Sequence, residues 1–493
     1  MQPFAFGLAI AYPPDLMREG TPAPLTLHPD RALPLDERQR AVAREIYQST
    51  ASLPLICMHG HVEADVLAGD TPFTDPAQLL VVPDHYVTRM MVSQGVAPER
   101  LGIRRIDGGP VETDSRAIWR TFCEHWRLYR GTPSRYWLEH ELVEVFGVDL
   151  VPSAATADRI YDQIAQRIAE PDFRPRQLLD LFSIELISTT DPAGSDLRYH
   201  AELAAEGLGE RVIPTFRPDA VVQLDRANWR AEIEALATVS GVDTSTYDGF
   251  LAALRERRAA FVAAGGLATD HGHLTADTTP LSHTAAAAVY ARAMAGVVTW
   301  ADAQAFSANM LYVMAGMSCE DGLVMQIHPG VLRDHHDGIF HRYGQDKGFD
   351  IPLATEFTAT LRPMLRTYGH DPRFRAILFT VDETAYSREL APLAGAYPSI
   401  RLGAPWWFLD SPEGMRRFRE SAMETAGFYN TSGFVDDTRA FASIPARHDL
   451  SRRVDAGFLA RLVLEHRLGV DEAVETAVDL AYHLPKLAYR RQP

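Results

Sequence analysis

Cysteine is scarce in this chain of 493 residues, which contains only Cys57, Cys123 and Cys319. The number is odd, the three positions lie far apart, and no Cys-x-x-Cys pair occurs. This pattern argues against a disulfide framework and against a zinc site built from several cysteines. It fits a protein of the reducing cytoplasm, which is the location we predict.

Long apolar runs are also lacking. The apolar stretch Ala285–Val298 contains Arg292 and is shorter than the roughly 20 residues that span a bilayer. The first residues, Met-Gln-Pro-Phe-Ala-Phe-Gly, have no basic segment of the kind that opens a secretory signal peptide. We therefore predict neither a membrane partner nor an export signal.

Positive charge is in deficit. The chain has 48 lysines and arginines against 65 aspartates and glutamates, which gives a formal net charge of −17. Such a field repels nucleic acid and anionic membrane surfaces, so we predict neither as a partner. An anionic substrate would need a local group of arginines to bind against this field.

What remains is the composition of a globular protein, with 46% hydrophobic and 23% charged residues. From about residue 180, short apolar runs alternate with amphipathic helical segments, the pattern of βαβ units and a parallel sheet. With one earlier run included, eight strand–helix units predict an α/β fold of the TIM type, a (β/α)8 barrel. The predicted strands are 53–58, Ile184–Ser188, Val212–Thr215, Leu267–Thr269, Leu323–Ile327, Ala376–Val381, Ile400–Leu402 and Gly433–Val435.

The predicted barrel is interrupted and extended by helices. Residues 62–180 show helical patterns and no strong strand candidate, so we predict an inserted, mainly helical subdomain after the first strand. Residues 1–61 would form an N-terminal arm, a helix and that first strand. Residues 181–450 would complete the barrel, and residues 451–493 would add C-terminal helices packed on it.

The first predicted strand ends in His59-Gly-His61. Residues i and i+2 of an extended segment point to the same side, and functional residues of such barrels follow the strands. Asp437 follows the last strand, and two imidazoles with one carboxylate suit Zn²⁺ or another first-row divalent ion. Arg217 and Arg439, which also follow strands, are candidate clamps for a substrate carboxylate because a guanidinium binds it through two hydrogen bonds.

Each of these residues also has an ordinary structural explanation. Asp191 and Asp382 would cap helices, and Arg217 would form a salt bridge with Asp219. His85 follows a helix start and would be an exposed residue of the first turn. Surface-loop or core positions are the ordinary alternatives for His271, His273, Trp406 and Trp407. The common placement of the whole set at one end of one barrel favours a functional site.

Taken together, the motifs resemble those of the uronate isomerases (glucuronate and galacturonate isomerase), a branch of the amidohydrolase superfamily. Their order and spacing agree from about Leu33 to Tyr489. Cys57 stands where family members usually carry an aspartate. The matching segments are Met58-His-Gly-His61, Asp84-His-Tyr86 with Arg89, Thr189-Thr-Asp191 before Arg198-Tyr-His200, Pro214-Thr-Phe-Arg217-Pro-Asp219, Asp270-His-Gly272, Met325-Gln-Ile-His328 with Leu332-Arg333, Gly348-Phe-Asp350, Trp406-Trp-Phe408 and Asp437-Thr-Arg439-Ala-Phe441.

The resemblance implies an isomerase that interconverts a hexuronate aldose and its 2-keto form, D-glucuronate with fructuronate or D-galacturonate with tagaturonate. A proton would move between C2 and C1 through an enediol. The resemblance also implies one divalent ion, with zinc as the first choice, on His59, His61 and Asp437. The implied catalytic residues are Asp437, Tyr86, His85 and Arg439, and the implied substrate contacts are Arg217, Asp270, His328, Arg89, Trp406 and Trp407.

Two other functions stay open from the sequence. One is a metal-dependent hydrolase, lactonase or epimerase of the same superfamily that acts on a sugar acid, and the other is a non-catalytic sugar-acid binding protein. Typical superfamily hydrolases often bridge two ions with a lysine, but Lys347 and Lys486 are the only lysines here and neither follows a middle strand. A single ion is therefore expected, and we also expect the chain to form a homo-oligomer.

Overall fold

The computed structural model describes residues 24–491, so the first part of the predicted N-terminal arm lies outside the described residues. The strands within this range are β1 (Leu55–Cys57), β2 (Ile184–Pro192), β3 (Val212–Arg217), β4 (Ala268–His271), β5 (Val324–Ile327), β6 (Val331–Leu332), β7 (Ile351–Pro352), β8 (Ala376–Leu378) and β9 (Ile400–Leu402). Seven of them form one curved parallel sheet in the order β1-β2-β3-β4-β5-β8-β9, and β6 and β7 form a separate antiparallel pair.

The segment 431–438 closes the gap between the two edge strands. On one side, the backbone N–H of Ser432 donates to the carbonyl of Leu402 in β9 over 2.8 Å. On the other side, the N–H of His61, just after β1, donates to the carbonyl of Thr438 over 3.0 Å. The segment therefore takes the eighth position around the sheet, and the predicted TIM-type architecture is confirmed.

The prediction of the eighth strand is wrong in detail. Gly433–Val435 forms no regular strand, because Gly433 has a φ of +74° and this left-handed conformation interrupts an extended ladder. The second strand is longer than predicted and contains Thr189 to Asp191, which we expected in a following loop. Asp191 still pairs with Phe216 of β3, so the hydrogen-bonded ladder continues after the apolar pattern has ended.

The helices that precede β2 form most of the inserted region. Ile118, Trp119 and Phe122 are fully buried in its core. The indole N–H of Trp119 donates to the carbonyl of Ala157 over 2.9 Å and joins two helices. The helices are α1 (Glu37–Thr50), before β1, and α2 (Ala64–Gly69), α3 (Pro76–Leu80), α4 (His85–Val92), α5 (Ser115–Glu124), α6 (Pro133–His140), α7 (Ala157–Ile168) and α8 (Pro175–Leu181).

The remaining helices surround the sheet and cover its far end. The C-terminal group begins at residue 444, so the predicted boundary at 450/451 falls inside a helix, and the division into domains stays a prediction. No helix within residues 24–491 has the length and apolar composition needed to cross a membrane. The helices are α9 (Arg198–Ala205), α10 (Asp219–Val222), α11 (Trp229–Ser240), α12 (Tyr247–Ala263), α13 (His283–Met294), α14 (Trp300–Asp321), α15 (Asp337–Tyr343), α16 (Arg362–Tyr368), α17 (Ala391–Ala396), α18 (Pro412–Ala426), α19 (Ile444–Leu464), α20 (Val470–Val478) and α21 (Leu484–Ala488).

Candidate metal and substrate site

Two histidines after β1 meet an aspartate of the closing segment 431–438. Nε2 of His59 lies 3.4 Å from Oδ1 of Asp437, and Nε2 of His61 lies 3.1 Å from the same oxygen. The backbone N–H of Asp437 donates to the carbonyl of His59 over 3.2 Å, so closure of the barrel brings the carboxylate to the imidazoles. One ligand atom from each residue lies within 4.8 Å of the others, and the three predicted metal ligands are thus neighbours.

This donor set fits a first-row divalent ion. Nitrogen and oxygen ligands bound to zinc at about 2.0–2.2 Å with tetrahedral angles lie roughly 3.3 Å apart, which the observed distances of 3.1 and 3.4 Å match. Both ring nitrogens of His59 are buried and lack a hydrogen-bond partner within the described residues. Asp437 has a φ of +44°, uncommon for a residue other than glycine, and such strain is typically kept where a side chain must face a ligand.

A buried ionic cluster lies behind the histidines. Asp270 at the end of β4 is fully buried, and its Oδ1 lies 2.8 Å from Nε2 of His328 and 3.9 Å from Nδ1 of His59. Its Oδ2 lies 3.4 Å from Nη1 of Arg217, whose Nε–H donates to Asp219 over 2.9 Å. The salt bridge to Asp219 is therefore present, and the same arginine also lines the cavity of the site.

Burial and these charges set the protonation of the site. Burial opposes ionisation of Asp437, but the two histidines that face it outweigh burial and hold its pKa far below the ordinary range. Burial also opposes ionisation of Asp270, but the neighbouring His328, Arg217 and His59 hold its pKa well below the usual value. Burial, with the charge of Arg439, lowers the pKa of His85 to about 3. At neutral pH the site thus presents two carboxylates and a neutral His85.

A cavity of about 300 Å³ opens around the three candidate ligands, a size within the range of small-molecule sites. Most of the predicted site residues line this one cavity, although they come from strand ends and loops spread over the whole chain. These residues are His59, His61, His85, Tyr86, Arg217, His328, Trp406, Trp407, Asp437 and Arg439.

Two predicted substrate contacts lie behind the residues that line the cavity. Asp270 is covered by His59 and His328. Arg89 places its guanidinium 5.4 Å from the ring centroid of Tyr86 and 5.0 Å from that of Phe408. In this geometry each of the two residues contacts a side chain that borders the cavity but does not line the cavity itself.

Helix α4 brings two predicted catalytic residues to the cavity. Asp84 is its N-cap and accepts hydrogen bonds from the backbone N–H groups of Tyr86 and Val87 over 2.8 and 3.4 Å. His85, the first helical residue, therefore borders the cavity instead of bulk solvent. Tyr86 packs edge-on against Trp137 with 5.7 Å between ring centroids, and burial raises its pKa, so the phenol keeps its proton.

Sequence reasoning missed the contribution of the excursion 331–352, which carries β6 and β7. Asp346 forms an ion pair with Arg439, and Arg333 pairs with Asp350 at 2.9 Å. Asp346, Arg333 and Asp350 all line the cavity. Arg333 and Asp350 fall in segments of the family resemblance and were detectable on that ground, but no pattern in the sequence marks Asp346.

Other polar residues after strands have structural roles. His271 and His273 are buried, not in surface loops. Nε2 of His271 lies 2.8 Å from the hydroxyl of Thr269, and His273 is hydrogen-bonded to a serine of α14 over 2.7 Å. Asp191 accepts a hydrogen bond from Thr189 within β2 and does not cap a helix.

Comparison with known proteins gives a consistent result over nearly the whole chain. The sequence profile of the glucuronate isomerase family matches residues 37–487. A uronate isomerase of Rhizobium meliloti (strain 1021) is 54% identical over 464 residues, which are 94% of this chain and 99% of that protein.

Solved structures agree with the sequence comparison. A glucuronate isomerase from Caulobacter crescentus superposes with a TM-score of 0.93 at 50% identity, covering 94% of this chain and 97% of that one. A uronate isomerase from Thermotoga maritima superposes with a TM-score of 0.87 at 28% identity, covering 94% and 99%.

Proposed function

The chain belongs to the glucuronate isomerase family and isomerises hexuronates, and we propose that it does so by moving one proton between C2 and C1 of the open-chain sugar. The proposed substrates are D-glucuronate and D-galacturonate, and the products are their 2-keto forms. The observation that carries this proposal is the grouping of His59, His61 and Asp437 in a cavity that arginines also line. The hydrolase, lactonase, epimerase and binding-only alternatives have no observation in their favour.

The substrate carboxylate is proposed to bind at Arg439. Arg217 is paired with two buried carboxylates and has little freedom to change partner. Arg439 is more exposed and pairs with Asp346 alone among the described residues, so a substrate anion can share or replace that contact. Arg439 follows Asp437 by two residues and lines the same cavity, so an anion bound there would lie near the candidate metal ligands. A guanidinium binds a carboxylate through two parallel hydrogen bonds, which fixes the orientation of the sugar.

Asp437 is the proposed carrier of the proton. Its Oδ1 faces both imidazoles, which leaves Oδ2 to take the proton from C2 and return it to C1. The proton of the C2 hydroxyl passes to the C1 oxygen, so that the aldehyde becomes a hydroxyl as C2 becomes the ketone. Tyr86, a protonated phenol in the same cavity, donates a hydrogen bond to the enediolate oxygens. Neutral His85 accepts the proton of a sugar hydroxyl during ring opening.

A divalent ion, for which we propose zinc, would be held by His59, His61 and Asp437 and would polarise the substrate oxygens. The ring of Trp406 lies 5.6 Å from that of His59 and 4.8 Å from that of His328, and it packs beside both imidazoles at this end of the cavity.

The test is incubation of the purified protein with each uronate in D₂O, with product analysis and NMR of the C1 and C2 protons. We expect a 2-keto product of which part carries solvent deuterium at C1, because the proton held on the Asp437 carboxylate exchanges with solvent before it is delivered to C1. Asp437→Asn should abolish both, whereas Asp321→Asn, which alters a carboxylate at the end of α14, should retain both. Product formed without deuterium would contradict proton transfer, and no turnover of either uronate would contradict the substrate assignment.

A cytoplasmic location and a homo-oligomeric state remain proposals. The three cysteines are free thiols, and Cys57 and Cys123 are buried, which suits a reducing compartment. Light scattering of the purified chain in solution measures its mass, and a mass equal to one chain would refute the oligomer.

A further inference from the structure

A second cluster of metal-ligating side chains lies beside the first. It consists of Cys57 at the end of β1, Asp436 next to the ligand Asp437, and His448 on α19. Nε2 of His448 lies 3.6 Å from Sγ of Cys57 and 3.3 Å from Oδ2 of Asp436. One ligand atom from each residue lies within 4.8 Å of the other two.

We propose that Cys57, Asp436 and His448 form a second metal site that binds Zn²⁺, separate from the site of His59, His61 and Asp437. Zinc holds thiolate sulfur at about 2.3 Å and imidazole nitrogen or carboxylate oxygen at about 2.0–2.2 Å. With tetrahedral angles, the sulfur and nitrogen ligands then lie roughly 3.5 Å apart and the nitrogen and oxygen ligands roughly 3.3 Å apart. The observed 3.6 and 3.3 Å match both spacings.

Burial of the cluster supports an ion. Cys57, Asp436 and His448 are 0%, 1% and 4% exposed. Within residues 24–491, no arginine or lysine forms an ion pair with the Asp436 carboxylate, and the group that faces it is Nε2 of His448 at 3.3 Å. A buried carboxylate is costly without a compensating charge, and a divalent ion supplies that charge at the point where the three donors converge.

The contacts of a single nitrogen at the centre of the cluster also support a bound ion. Nε2 of His448 contacts both the sulfur of Cys57 and the oxygen of Asp436. A neutral imidazole nitrogen offers one hydrogen or one lone pair, so hydrogen bonding through it satisfies only one of the two contacts. Coordination to one ion satisfies all three donors together.

The location gives the site a structural role. Cys57 and His448 are 391 residues apart in the sequence, and Asp436 belongs to the segment that closes the barrel. An ion here would tie β1, the segment 431–438 and α19 together directly behind residues that carry the first site. Because structural zinc contributes its binding free energy to folding, the ion would stabilise barrel closure.

Cobalt substitution of the full-length protein tests this proposal. Only a cysteine ligand gives the near-ultraviolet thiolate-to-Co²⁺ charge-transfer band, and the site of His59, His61 and Asp437 contains no sulfur. We expect two ions per chain and this band in the parent protein. Cys57→Ser should retain one ion and lose the band, whereas the matched control Cys319→Ser should retain both.

Two further variants keep the test decisive. Asp437→Asn should lose one ion and isomerase activity but keep the band, so failure of the proposed isomerase site is distinguishable from failure of the second site. His448→Gln should lose the band even if Cys57→Ser does not fold. Absence of the band from the cobalt-loaded parent, or its persistence in His448→Gln, would overturn the proposal and leave a cluster held by hydrogen bonds alone.

Discussion

Replacing Asp270 with asparagine tests whether the buried carboxylate behind the metal ligands holds His59 in position. Asp270 is fully buried, and its oxygens face His59, His328 and Arg217 at 3.9, 2.8 and 3.4 Å. A carboxylate behind a ligating histidine orients the ring and raises its basicity, and its loss typically lowers metal affinity by about 10–100-fold. Nδ1 of His59 lies beyond hydrogen-bond distance of Asp270, so the support is electrostatic, and we expect Asp270→Asn to weaken metal binding by about 10-fold, the lower end of that range.

The same change should also lower the free energy of unfolding. Breaking a buried ion pair costs about 3–5 kcal/mol because it leaves an uncompensated charge. Arg217 keeps its hydrogen bond to Asp219, so we expect a loss near the lower end of that range, about 3 kcal/mol. Equilibrium unfolding in urea measures this loss, and titration against a competing chelator measures the metal affinity.

Asp321→Asn is the matched control. Nε of buried Arg258 donates to Asp321 over 2.6 Å, so this variant also breaks an Arg–Asp pair. Neither partner lines the cavity. The control should lower stability but leave metal affinity unchanged. If Asp270→Asn lowers stability like the control and binds metal as tightly as the parent protein, the proposed support of His59 by Asp270 is refuted.

Four further outcomes are expected. Asp437→Asn should lose the first-site ion and lower kcat by at least about 100-fold, as metal analysis and steady-state kinetics would show. Gly348→Ala should destabilise the fold by about 1–3 kcal/mol in urea and lower kcat/KM, because Gly348 has a φ of +84° and an added Cβ would lie 2.8 Å from that of His85. Because the pKa of His85 is lowered to about 3, His85→Gln should lower kcat without changing the shape of the kcat/KM profile between about pH 5 and 8. Burial opposes ionisation of Asp219, but Arg217 lowers the pKa of this carboxyl from 3.8 to about 2. The ionised carboxylate therefore stabilises the folded protein by about 2 kcal/mol above pH 4, and this contribution is lost toward pH 2. Acid titration of the stability of Asp219→Asn should lack that loss.

Much of the fold could be predicted from local patterns. The apolar run Leu323–Ile327 becomes β5 with one residue fewer, and Asp36 accepts the hydrogen bond of Gln39 as the N-cap of α1. These features depend on neighbours in the chain, namely periodic burial and the hydrogen-bonding needs of a helix terminus. The eighth position could not be predicted in detail, because the segment 431–438 is held by bonds to both edge strands and not by its own regular structure.

Some features of the candidate site also have a local signal in the sequence, and others do not. His59-Gly-His61 after an apolar run predicts a metal pair from six or so neighbouring residues, and Asp84 predicts the helix that starts at His85. The pairing of Asp346 with Arg439 spans 93 residues and has no local signal. The contact of Cys57 with His448 spans 391 residues, and a lone cysteine in a strand is indistinguishable by sequence from an ordinary buried residue.

The sequence by itself therefore determined the class of fold, the two histidines and, through the family motifs, the isomerase chemistry. Only the tertiary structure decided that Oδ1 of Asp437 lies between those histidines, that Asp270 lies 3.9 Å behind His59, and that a second donor cluster forms next to them. The physical reason is that strand and helix patterns arise from contacts a few residues apart. Convergence of side chains at one end of a barrel depends on its closure, which joins residues separated by nearly the whole chain.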